Sequence, residues 1–153
     1  MKNLNRFSFG ATSSITTSLS LIVGLDATAH PKVTIISALA VLAIADNISD
    51  SLGIHIYRES EKAHQTSLYT FTNFFTRLVL TSIFAAIVLF LPNPVMVPVT
   101  ITLGMTVLSA LSYGIAVGQK ISPVKEIIKH LCIAVIAMIA SHFVGEFIRL
   151  HFN

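Results

Sequence analysis

Cysteine is almost absent from this sequence, with Cys132 the single example among 153 residues. An intrachain disulfide and a cysteine-based zinc site are both excluded. Cys132 stands in an apolar segment and reads as a small buried hydrophobe. Charge is scarce too: 11% of residues are charged, where a soluble domain carries about 25%. Half the usual supply cannot clothe a water-exposed surface. With 54% hydrophobic residues and a mean hydropathy of +0.79, the chain reads as an integral, multi-pass membrane protein. Low-complexity tracts and internal repeats are missing. The net charge of +3 is spread between segments, with no basic patch or aromatic stacking motif, which excludes a nucleic-acid partner. No nucleophile–base pair or cofactor motif is present, so neither an enzyme nor a bound cofactor is expected.

What is present is long apolar runs. About 20 such residues cross the hydrocarbon core, and five segments qualify, at roughly 8–25, 33–56, 71–91, 95–118 and 127–148. The expectation is one all-α domain over 1–153, embedded in the lipid bilayer. Breakers separate the spans: "DATAHPK", "YRESEKAHQTS", "PNP" and "QKISPVK". With the N-terminus in the cytoplasm, Lys2, Arg6, Arg58, Lys62, Arg77, Lys120, Lys125 and Lys129 fall inside or at the inner interface, leaving Lys32 and Arg149 opposite. That is the positive-inside pattern, and five spans put the C-terminus outside. The absence of any other targeting sequence fits a bacterial inner membrane. A rival account of the first span is a signal peptide ending at Ala27-Thr28-Ala29, which would leave four spans. Asp26 and the Ser/Thr density of the segment oppose it.

Small residues recur every four positions on three spans, as Ala45/Ser49/Gly53, Ala110/Gly114/Gly118 and Ala137/Ser141/Gly145. Membrane helices pack closely along such stripes. The first span carries Thr12, Ser13, Ser14, Thr16, Thr17, Ser18 and Ser20. These hydroxyls either bond to the preceding turn or line a hydrated path beside the second span.

The second span contains the costly feature, "ADNISDSLG" from Ala45 to Gly53. A carboxylate at mid-bilayer costs about 2.5–3.5 kcal/mol, while each Leu or Ile returns only about 0.3–0.6. Asp46 and Asp50 are one turn apart and share a face with Ser49 and Gly53. Two carboxylates in a low dielectric share a proton or hold a cation, and their hard oxygens suit a divalent metal exchanging with protons. The competing account is a structural hydrogen-bonded pair. On the fifth span His142 and Glu146 are also i, i+4, a spacing that ligates metal or passes protons; near the outer interface, an ordinary solvated pair is the alternative. His55, Tyr57, Arg58, Glu59 and Glu61 read as the solvated end of the second span, and nothing distinguishes His30, His64, His130 or His151.

"GATSSITTSLSLIVGL" (10–25) and "ADNISDSLG" resemble the first two spans of the vacuolar iron transporter family. Gly10, Ala11, Ile15, Thr17, Leu21, Gly24 and Leu25 fall into the pattern G-A-N-D-G-[IL]-V-T-T-x-x-L-V-x-G-L. Asp46, Ser49 and Gly53 fall into A-D-A-[IL]-S-M-x-x-G-E-Y. The chain departs from the family where Ser13 stands for its first-span acid, Ser14 for a glycine, Asp50 for the methionine, Ile54 for the glutamate and His55 for the tyrosine. The cytoplasmic metal-binding insertion after the second span is replaced by a short linker. The resemblance implies a homodimer of five-helix protomers that exports ferrous iron or manganese from the cytoplasm in exchange for protons, the metal being cargo. On that reading Asp46 and Asp50 take cation and proton in turn, with Ser13 and Thr17 as neutral oxygen ligands. The alternatives are a carrier of another solute and a non-transporting membrane scaffold that keeps the fold.

Overall fold

A computed structural model describes residues 4–28, 30–63 and 65–152. Lys2, Ala29, His64 and the side chain of Arg6 lie outside that description. The described residues are helical almost throughout: α1 (Leu4–Leu25), α2 (Pro31–Val41), a π-helical segment (Leu42–Asp46), α3 (Asn47–Ser60), α4 (Thr66–Phe90), α5 (Asn93–Gln119) and α6 (Pro123–Phe152). The segment from Pro31 to Ser60 runs without a break, so five helices are long and apolar enough to cross a membrane. Each agrees with an expected span to within a few residues. Helix starts follow local chemistry. Pro31 and Pro94 sit in first turns, where a missing N–H costs nothing. Lys120 ends α5 in the left-handed region at φ 58°, its turn closed by Ile121 N–H donating to Ala116 O at 3.0 Å.

α1 sits in the middle of the bundle, packing on α6, α4, α5 and α2. Ile15, Leu19 and Ile22 are fully buried, meeting Ile35 and Leu39 of α2, Phe84 and Val88 of α4, and Leu108 of α5. The segment also weighed as a leader thus packs at the centre of the bundle. Its hydroxyls divide. Thr12 and Thr17 donate to Ser8 O and Ser13 O one turn back, at 2.9 and 2.8 Å, as a membrane helix requires. Ser14 reaches across to α4, 3.0 Å from Thr81 Oγ1.

The three small-residue stripes have three different fates. On the fifth span, α6 meets α1 at Gly145 and Ser141 against Gly24, so closely that a Cβ on Gly145 would overlap the Gly24 carbonyl oxygen. On the fourth span the buried seam is Thr100, Gly104, Leu108, Ser112 and Ala116, not Ala110/Gly114/Gly118. Burial there follows what faces Leu19 of α1, since Gly104 abuts that side chain. On the second span Ala45, Ser49 and Gly53 are all exposed within the chain. Cys132 is exposed as well, contrary to its expected burial, because α6 packs along Ala134, Met138 and Gly145 instead.

The α1–α6 crossing yields a stability prediction. Gly145→Ala must push the helices apart, with an expected loss of about 1–3 kcal/mol, to be read from thermal unfolding in detergent.

Candidate functional site

Arg77 organises the site. Placed on sequence grounds at the inner interface, it lies midway along α4 with its side chain only 4% exposed. Nη2 pairs with Asp46 Oδ2. Nη1 lies 3.0 Å from Asp50 Oδ2 and donates to Ser13 Oγ at 2.5 Å. One guanidinium from α4 thus holds two carboxylates from the second span and a hydroxyl from α1. The Asp50 contact is close but poorly aligned as a hydrogen bond, and Arg77 Nε finds no acceptor among the described residues. The aspartates are less enclosed than the arginine, at 48% exposure for Asp46 and 31% for Asp50.

Two local features aim the carboxylates. The π-helical segment ends at Asp46; such turns admit one extra residue and shift the faces of the helix beyond them. Amides then lock α3 to α4. Asn47 Nδ2 donates to Phe74 O at 2.9 Å, Asn73 Nδ2 to Ser51 Oγ at 3.2 Å, and His55 Nδ1 lies 3.1 Å from Thr70 Oγ1. Asn47, Ser51, Asn73 and Arg77 are all buried, forming a polar seam inside an apolar bundle. Interhelical bonds of this kind contribute about 0.6 kcal/mol each in a membrane.

Of the expected ligands, Asp46, Asp50 and Ser13 meet around Arg77. Thr17 does not join them: its hydroxyl is spent on Ser13 O, and it faces a groove bounded by Leu108 of α5 and His130 of α6. Ser13 reaches the second span's acids through Arg77 and, with Thr12, Thr16 and Thr17, also borders this groove. His130 is fixed there, with Nδ1 2.8 Å from Ser112 Oγ and Nε2 3.7 Å from Glu126. On α6, Glu146 is taken by Arg149 at 2.6 Å, while His142 is exposed and touches Phe143. Among the described residues no three His, Cys, Asp or Glu side chains gather in a metal-holding group.

α1 and α3 both pack on α4 and leave a gap between them, a cavity of about 450 Å³. Asp50 lies at its inner end, and Tyr57, Arg58 and Tyr69 lie toward the end of the bundle where α3 stops and α4 begins. Arg58 stacks on Tyr69, 3.5 Å from the ring centroid. Asp50 is thus the member of the carboxylate–guanidinium cluster that borders the cavity.

Comparison with family models, curated proteins and solved structures finds no match to this chain. The site is therefore read from its own geometry.

Sequence reasoning missed Arg77, Asn47 and Asn73 as site components. The signal was available: "TNFFTRLVL" places Asn73 and Arg77 one turn apart inside an apolar run, and an intramembrane cation facing an intramembrane acid is the expected pairing.

Two predictions follow from these charges. Arg77→Met strands both carboxylates and is expected to cost about 3–5 kcal/mol, measured by denaturant unfolding in detergent; adding Asp46→Asn and Asp50→Asn to it restores most of that loss. In the α1–α2 loop, burial raises the Asp26 carboxyl above the ordinary range, with His142 opposing more weakly. The raised group favours the fold below the usual carboxylate pKa, and that contribution fades as pH rises through its own. Asp26→Asn is thus expected to raise the melting temperature at pH 7 and leave it unchanged near the acid end.

Proposed function

We propose that this chain is a proton-coupled cation transporter in which Asp46 and Asp50 bind proton and cation in turn, and Arg77 is the internal cation that occupies them between cargoes. The observation that carries the reading is the shared guanidinium. Two carboxylates and one guanidinium hold a formal charge of −1, so the cluster has capacity for one more positive charge. A proton on Asp50 loosens its hold on Arg77; a metal ion arriving through the cavity competes for the same oxygens. Because the carboxylates always have some cation to hold, the cost of leaving them unpaired in low dielectric is avoided at every stage.

The resemblance to the vacuolar iron transporter family supplies the cargo and direction: ferrous iron or manganese, exported from the cytoplasm. The distribution of Lys and Arg supports an inside N-terminus even without Arg77, and hence an outside C-terminus, in a bacterial inner membrane. Under this topology the cavity opens to the cytoplasm. A homodimer is supported by the uncovered face of the second span, where Ala45 and Ser49 are exposed and Asp46 is half-exposed at mid-span.

A second reading has its own observation. A guanidinium already seated between both acids serves equally as a permanent counterion, which suits a non-transporting scaffold. Vesicle flux separates the two. Purified protein is reconstituted, and manganese or ferrous iron uptake is followed together with internal pH. The transporter reading expects metal flux with opposing proton movement, reduced about tenfold or more in Asp50→Asn through loss of one member of the charge cluster. Flux no greater than in empty vesicles supports the scaffold. Flux indifferent to Asp50→Asn moves the site elsewhere.

A further inference from the structure

We infer that the cavity between α1, α3 and α4 is a binding site for an amphipathic organic monocation, one with an apolar or aromatic body around a single positive charge. The wall is mostly apolar and aromatic, built from Phe9, Gly53, Ile54, Tyr57 and Tyr69, with Asn73 and one carboxylate, Asp50, toward its inner end and Arg58 at the other. Volume, shape and chemistry agree. About 450 Å³ falls within the range of roughly 300–1,000 Å³ typical of small-molecule sites. Aromatic faces around a carboxylate attract a bulky, weakly hydrated cation through ring quadrupoles and one ion pair. A divalent metal asks for several oxygens and would gather them at the acids beyond this wall, whose own lining offers Asp50 alone as a carboxylate.

The charge balance of the wall is set by position. Asp50 and Arg58 are eight residues apart on α3, about 12 Å along the helix axis. Arg58 stands near the helix end, stacked on Tyr69, where water and ions screen a charge over about 10 Å. A cation passing it meets the low-dielectric end of the cavity, where Asp50 shares Arg77 with Asp46 and the three carry a formal −1. The ligand's charge completes that balance without displacing Arg77. The inference concerns equilibrium binding and stands apart from metal transport.

The test uses the full chain in detergent and radiolabelled tetraphenylphosphonium, with tetraphenylborate as its anionic counterpart of like shape. Saturable binding of the phosphonium, and none of the borate, is expected. Asp50→Asn should weaken it about tenfold or more, as loss of a charged partner does, and Tyr57→Leu about three- to thirtyfold through loss of the aromatic ring. Asp26→Asn, at the other end of α1, should leave it unchanged. Should Asp50→Asn unfold the protein, Tyr57→Leu and the borate comparison still decide. Non-saturable uptake, equal uptake of both ions, or binding indifferent to Asp50 and Tyr57 alike overturns the inference and leaves the metal-flux experiment untouched. Absent metal flux with saturable phosphonium binding overturns metal transport alone.

Discussion

The ion cluster Asp46–Arg77–Asp50 is the constraint to which the rest of the bundle answers. A guanidinium 4% exposed midway along a membrane helix is tolerable only if its partners arrive from other helices and stay there. The second span must bring its acids to α4, and the π-helical segment ending at Asp46 serves that register. The amide seam of Asn47, Ser51 and Asn73 holds α3 against α4 at the same level. Ser13 of α1 supplies the remaining contact to Nη1. Four separate features, on three spans, meet one side chain.

The apolar packing makes a complementary demand. α1 must be thin to be central, since four other helical segments crowd it. Small side chains meet that need on the α6 side, where Gly24 and Gly145 come into near backbone contact. On the α4 side the equivalent is Gly10, where a Cβ would crowd both the side chain and backbone of Asn73. The glycines and hydroxyls of α1 thus have a common cause. They let it sit between neighbours at short range while every hydroxyl that finds a partner finds it locally or across one interface.

The five spans were legible because hydropathy over about 20 residues reports membrane thickness directly. Their junctions were legible because proline and charge clusters interrupt that pattern. Much of the site was not. Asp46 and Asp50 stood out by cost, but their counterion was misplaced because a cation counted toward topology was not also weighed as an intramembrane charge. The π segment carries no proline or glycine to announce it: "LAIAD" reads as ordinary helix. Choosing which small-residue stripe is buried needs the partner helix, and periodicity alone could not separate Gly104 from Gly114. Cys132 failed for the same reason, since an apolar helix gives no sign of which side meets lipid.

The exposure of Asp46 carries the argument one step further. Arg77 lies inside the bundle, yet the acid paired with it is half uncovered, on a face that also presents Ala45 and Ser49. Lipid is a poor neighbour for that face. A carboxylate there keeps its full desolvation cost, and small residues forfeit the dispersion that leucine would gain against acyl chains. Both features turn favourable only against protein or water. Asp50, one turn on, already borders the cavity, so the two acids divide the directions between them. Asp50 faces an approach inside the chain, and Asp46 faces outward to whatever covers α3. Under the proposed reading, a second copy laid on that face would place two such clusters side by side, each with its guanidinium behind and its carboxylates in front. Repulsion between them would then be relieved by the cations or protons the pair is proposed to exchange. In that arrangement cargo binding and subunit contact are a single electrostatic problem, with Arg77 setting how much charge remains to be balanced.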